Sequence, residues 1–210
     1  MRKHFAILLA ALLLPALFAQ RAAAQNTSAD APRYSLSPAE AKRLTEAKAR
    51  QIMLALRNRD MRKLSGFVHP RRGVRFSPYV YVDTKTTRVL SPGQLVSLYR
   101  NGRRLVWGEA DGSGNHIVMS LREYLNKFVY RQDLLKANQV SYNPPNRQGP
   151  GTSVNNLLEV YPHATFVMYS HEGITAPQGG AMDWQQLWLV FEKVGRQWYL
   201  VGIVNNEWTI

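Results

Sequence analysis

Residues 182–210, MDWQQLWLVFEKVGRQWYLVGIVNNEWTI, decide the fold. They read as two long strands joined by a turn. Leu187, Leu189 and Phe191 alternate with Trp188 and Val190, and after Val194-Gly195-Arg196 comes the run Trp198-Tyr199-Leu200-Val201-Gly202-Ile203-Val204. Apolar side chains on both faces of a strand mark a central position covered from two sides. Such a hairpin needs a partner layer, and one long helical pattern upstream can supply it.

That pattern begins at Ser37-Pro38-Ala39-Glu40, an N-cap serine, a proline at the first helical position and a glutamate three residues on. Leu44, Ile52, Ala55 and Leu56 form its apolar stripe, while Lys42, Arg43, Arg50 and Arg57 are left for water. Lys48 falls on the stripe side and has to snorkel. Asp60 caps a short second helix over residues 61–65, ended by Gly66, and His69-Pro70 leads the chain out. Residues 74–76, 79–82, 105–107, 117–119, 157–161 and 163–172 read as strands. Ser91-Pro92 and Ser120-Leu121-Arg122-Glu123 open two more helices. Residues 143–153 and 173–181, rich in Gly and Pro, read as a mobile loop or lid and a second loop.

Before the capped helix, residues 1–24 combine a short basic start, a fourteen-residue apolar run and Ala22-Ala23-Ala24, the pattern of a secretory signal peptide. The apolar run is shorter than the roughly 20 residues of a spanning helix. The expectation is export, to the periplasm or beyond, with no stable membrane span after cleavage, a linker over 25–36 and a single domain over 37–210. The absence of cysteine excludes disulfides, thiolate metal sites, cysteine nucleophiles and the lipid-anchored kind of leader.

The chain carries 27 Lys and Arg against 14 Asp and Glu; without Arg2, Lys3 and Arg21 the balance is 24 against 14, or +10. A basic surface favours anionic partners. Given export, an anionic small molecule or a cell-envelope polymer is expected rather than nucleic acid.

The order of long helix, short helix with a His-Pro exit, extended pieces and closing antiparallel strands resembles the cone-shaped fold of nuclear transport factor two, ketosteroid isomerase and the SnoaL-like proteins. Residues 52–76, with Asp60, Leu64, His69-Pro70 and Gly73-Val74-Arg75-Phe76, resemble its opening, and residues 184–203 its closing strands. His69-Pro70, the run from Gly73 through Ser77-Pro78-Tyr79, Trp107-Gly108, Asp111-Gly112-Ser113-Gly114 and Glu207-Trp208-Thr209-Ile210 resemble a group of exported bacterial proteins of unassigned function. The resemblance implies an α+β fold, with a strongly curved, mostly antiparallel sheet wrapped around the helix layer and a pocket between them, in the cystatin-like manner. It says nothing of activity, because this fold carries isomerases, dehydratases, binding subunits and scaffolds alike. No position matches the isomerase's catalytic tyrosine and aspartate motif.

Several residues qualify for chemistry. Read at period two, His163, Thr165, Val167, Tyr169 and His171 share one face, expected to be the wet or functional one. His69 with Arg71, Arg72 and Arg75 could grip an anion, with Arg75 turned inward toward Glu207 or Asp111. Tyr79, Tyr81, Trp107, Tyr169 and Trp208 join Arg75 as ligand contacts, and Trp208 beside Glu207 is the tryptophan singled out for test. Asp111-Gly112-Ser113-Gly114-Asn115 begins like a calcium loop, but His116 and Arg122 occupy the places of its glycine and glutamate, so a turn explains it and no metal is expected. No nucleophile elbow, zinc motif, phosphate loop or dinucleotide fingerprint occurs, so no cofactor is expected.

The expected function is an exported, non-catalytic ligand-binding or interaction module. The rival is a small isomerase, dehydratase or hydrolase using His163, His171 or His69 with Asp111 or Glu207 as an acid/base pair. A third reading is a structural domain that forms a homodimer through its sheet.

Overall fold

Residues 36–145, 154–173 and 183–208 are described in a computed structural model of the chain. All of them belong to one compact α+β unit. The leader, most of the linker and the cores of the two Gly and Pro loops lie outside the described residues.

Helix α1, Pro38–Arg57, opens with the full capping box: the Ser37 hydroxyl accepts from the Glu40 amide and the Glu40 carboxylate accepts from the Ser37 amide. Its buried face is carried by small residues in the first half, Ala41, Thr45 and Ala49, and by Ile52, Met53 and Leu56 in the second. That grading lets the helix come close to the sheet at one end and fill volume at the other. Lys48 does snorkel: its Nζ donates to the Trp198 carbonyl at 2.6 Å and lies 5.9 Å from the Tyr199 ring. Helix α2, Met61–Ser65, is capped by Asp60, whose side chain accepts from the Lys63 amide.

A six-stranded sheet follows. Its strands are β1 (Val74–Ser77), β2 (Arg88–Leu90), β5 (Gln139–Tyr142), β6 (Thr165–His171), β7 (Gln185–Val194) and β8 (Gln197–Glu207), in the order β2-β1-β8-β7-β6-β5. The hairpin β7-β8 therefore holds the centre, as its two apolar faces require. Every pairing is antiparallel except β1 with β8, which runs parallel with Arg75 opposite Gly202 and Ser77 opposite Val204. A smaller antiparallel ribbon joins β3 (Arg104–Glu109) to β4 (His116–Ser120), between α3 (Pro92–Asn101) and α4 (Leu121–Tyr124). Helix α4 passes into a π-helical turn, Leu125–Val129. No described helix is long and apolar enough to cross a membrane.

The sheet is the middle layer between two cores. On one side Leu187, Leu189, Phe191, Leu200 and Ile203 pack with α1, with Leu121, Tyr124 and Phe128, and with Trp107. On the other, Phe166, Met168, Trp188, Val190, Val201 and Val204 are covered by Val80, Val82, Leu157 and Tyr161.

Here the structure departs from several expectations. Residues 79–82 form a bent loop, not a strand, and fold over the second face of the sheet. Pro78 has no amide to give to a ladder, and the Val82 amide and carbonyl are both taken by the Asn156 side chain, at 2.8 and 3.2 Å. Residues 157–160 form one helical turn, α5 (Leu157–Val160), which likewise lies over that face. β2 and β5 are short edge strands, and edge strands with few apolar residues lack the alternation by which strands are read. The sheet is open, with β2 and β5 as its edges, and is not strongly curled. Both faces of the sheet are covered, one by α1 and its neighbours and the other by residues 80–82 and 157–161.

Candidate functional site

Because β1 and β8 run parallel, their C-terminal ends lie side by side. The loop leaving β1 and the last residues of β8 are thereby brought against the end of β3 and its turn. A cleft of about 550 Å³ opens there, lined by Tyr79 and Tyr81, by Asp83, by Glu109 and Asp111, and by Glu207. Four carboxylates thus face one cleft, and the described residues lining it include no Lys, Arg or His.

The four differ in role. The Asp83 carboxylate closes its own loop, accepting from the Lys85 amide at 2.8 Å and the Thr86 hydroxyl at 2.9 Å, and these bonds hold its pKa below the ordinary value. Glu109 faces His116 at 3.8 Å across the ribbon, both exposed. Asp111 accepts from the Gly112 amide at 3.1 Å, in the turn the sequence suggests. Glu207 is different: its side chain is only 12% exposed and pairs with Arg131 at 3.1 Å. Burial raises the Glu207 pKa, and the Arg131 charge opposes that rise.

Tyr79 stands beside it, half-buried, edge-on to Phe128 and accepting from the Asp111 amide at 3.3 Å. Its pKa is raised chiefly by burial, with the charges of Glu207 and Asp111 adding to the effect. Behind them Asn205 donates to the Pro78 carbonyl at 3.1 Å and accepts from Gln185 at 2.8 Å. This buried amide pair pins the loop after β1 to the end of β8. Arg131 completes the arrangement by donating to the carbonyls of Asp183 and Trp184. The cleft is therefore an acidic, tyrosine-walled site in which Glu207 is the most buried carboxylate.

Of the residues singled out in the sequence, Tyr79, Tyr81, Asp111 and Glu207 meet in this cleft. Trp208 follows Glu207 and is 43% exposed. The others lie elsewhere. Trp107 is fully buried, stacked on Tyr124 with ring centroids 4.3 Å apart and bonded through Nε1 to the Met119 carbonyl, so it is a core residue and not a ligand contact. Thr165, Val167 and Tyr169 are buried, Val167 and Tyr169 in the core shared with α1, so the face expected to be wet is a packed one. The reason is that β6 lies beside the central hairpin and is covered from both sides.

The histidines do not gather. His163 is exposed on the turn before β6, and His171 Nδ1 accepts from the Gly173 amide at 3.1 Å. His69 is buried, and its Nδ1 accepts from the amides of Arg71 and Arg72, which makes it the anchor of a turn. Arg75 takes the carbonyls of Thr84 and Thr87 and the Thr87 hydroxyl, not Glu207 or Asp111. Asp83, Glu109 and Arg131 were missed by sequence reasoning; each is an ordinary turn or surface residue in its own segment, and only the tertiary fold brings Asp83 and Glu109 into the cleft and Arg131 onto Glu207. Among the described residues no group of three or more His, Asp or Glu is placed to hold a metal ion. No family model, no curated protein and no solved structure matches the chain.

Proposed function

We propose that the chain is an exported, non-catalytic ligand-binding module, built on an opened version of the nuclear transport factor two-like plan, whose site is the acidic cleft at the ends of β1 and β8. The observation that carries this reading is the charge of the lining: four carboxylates in a protein whose net charge is +13. A cleft lined by one sign of charge concentrates ligands of the other sign, whatever the charge of the remaining surface. The ligand is therefore an organic cation, with Glu207, which it would share with Arg131, as its ion-pair partner and Tyr79 and Tyr81 as the aromatic faces that cations prefer. The anionic partner expected from net charge does not suit this cleft. The acid/base alternative finds no histidine in the lining, so the binding reading is the better supported.

The test uses a quaternary ammonium, benzyltrimethylammonium, and a polyamine, spermidine, with succinate as the anionic comparator. Calorimetric titration is expected to give binding by at least one cation and none by succinate. Glu207→Gln is expected to weaken that binding by about tenfold or more, the range for a lost charge-assisted hydrogen bond. Failure of both cations to bind at millimolar concentration, or equal affinity in the Glu207→Gln protein, overturns the proposal.

A further inference from the structure

A second cavity, about 320 Å³, lies on the other side of the 83–87 loop, lined among others by Arg72, Arg75, Thr84, Tyr161 and Val201. Its chemistry is the reverse of the cleft's. Arg75 projects from β1 opposite Gly202, on the face of the sheet away from α1. Its Nη1 donates to two carbonyls and the Thr87 hydroxyl, the guanidinium lies against the Tyr161 hydroxyl, and it has no carboxylate partner among the described residues. Arg72 stands at the rim with Glu192 as its ion-pair partner.

Tyr161 closes the back of the cavity. It is 3% exposed, and its hydroxyl is fully buried against the Arg75 guanidinium, with no well-formed hydrogen bond among the described residues. The hydroxyl lies directly over Gly202: a Cβ placed there would come within 3.2 Å of it. Burial pushes its pKa up to about 12, against the charge and hydrogen bonding of Arg75 and the charge of Arg72, while Glu192 adds to the rise. A buried hydroxyl whose proton has no acceptor is costly, and here it sits next to a guanidinium with which no carboxylate among the described residues pairs. An oxyanion satisfies both: it accepts from the tyrosine O–H and from the remaining N–H groups of Arg75, the fork geometry that suits carboxylate and phosphate.

We propose that this cavity is an oxyanion site, taking a phosphate or carboxylate group, with Arg75 and Tyr161 as its two donors and Arg72 as an outer charge. Arg72 is shared with Glu192, so its contribution is the smaller. The site stands on different side chains from those lining the acidic cleft, with the 83–87 loop as the wall between them.

The experiment titrates the full chain with inorganic phosphate and, separately, with acetate, at ionic strength matched with chloride, following thermal shift and backbone amide chemical shifts. The expected result is saturable stabilisation by at least one of the two, beyond that given by chloride, with the largest shifts at residues 72–75 and 160–161. Arg75→Gln is expected to weaken binding by about tenfold or more. Tyr161→Phe, which keeps the packing and removes only the hydroxyl, should weaken it by a smaller factor. Arg43→Gln, on the exposed face of α1, is the control and should leave affinity unchanged. Stabilisation no greater than chloride gives, shifts spread over the basic surface, or equal loss in the Arg43→Gln protein overturns the site. Should Arg75→Gln unfold, the Tyr161→Phe titration and the position of the amide shifts decide the question alone.

Discussion

At the scale of single residues, Glu207 is where stability and binding conflict. Its carboxyl is a buried part of the cleft's lining, and burial raises its pKa above the ordinary 4.5. A carboxyl that binds its proton more tightly when folded favours the folded state as pH falls, so its contribution is present below the unfolded value and lost as pH rises through the raised folded value. Glu40, Asp83, Glu123 and Asp133, all with lowered pKa values, work in the opposite sense. The Glu207→Gln substitution removes the first effect and leaves the others. Urea titrations of both proteins across the acid range are expected to show the mutant gaining stability relative to wild type as pH rises above about 4.5. A wild-type protein that instead gains on the mutant over that range would mean that the Arg131 pair outweighs burial. Because a Gln oxygen can still accept from Arg131, loss of ligand binding in this mutant would not reflect loss of fold. Glu207 and Tyr79 could be picked out of the sequence as polar groups at the ends of apolar runs. Their neighbours Asp83 and Glu109 could not, since nothing in a local pattern says which turns will meet.

At the scale of elements, β8 explains why the hairpin was readable and why its neighbours were less so. Apolar residues on both faces specify a central strand, and the capping box specifies the start of α1; each signal is local, and each held. Segments 79–82 and 157–161 have strand-like composition, yet their backbone groups are satisfied by Asn156 and by a helical turn. Composition could show that they were buried but not how. Within β8 a bulge at Val201 precedes Gly202, which sits beneath Val190 and Tyr161. A methyl group at Gly202 would meet the Val190 side chain at 2.9 Å. Overpacking of this kind costs about 1–3 kcal/mol, and Gly202→Ala is expected to lower the unfolding free energy by that amount while leaving the denaturant slope unchanged. A mutant as stable as the parent would show that Val190 can move aside at no cost.

At the scale of the whole molecule, the sheet is shared property. Leu187, Leu189 and Ile203 belong to the core under α1, while Trp188, Val190 and Val204, their immediate neighbours in sequence, belong to the core under residues 80–82 and 157–161. The face that a sheet-to-sheet homodimer would use is covered by the chain's own Val80, Val82, Leu157 and Tyr161, so such a dimer would first have to peel them away. Two cores divided by one sheet could unfold separately only if the central hairpin survived the loss of either. It has no such independence, because each of its strands draws support from both sides. Leu157 is fully buried in the outer core and far in sequence from α1, which makes it the sharper probe. Leu157→Ala is expected to cost about 2–5 kcal/mol, the range for a large aliphatic side chain cut back to alanine in a core. The transition should stay single, with tryptophan fluorescence and far-ultraviolet dichroism falling together. Separate midpoints for the two signals would mean that the outer layer is an attachment to a sheet that α1 alone can hold.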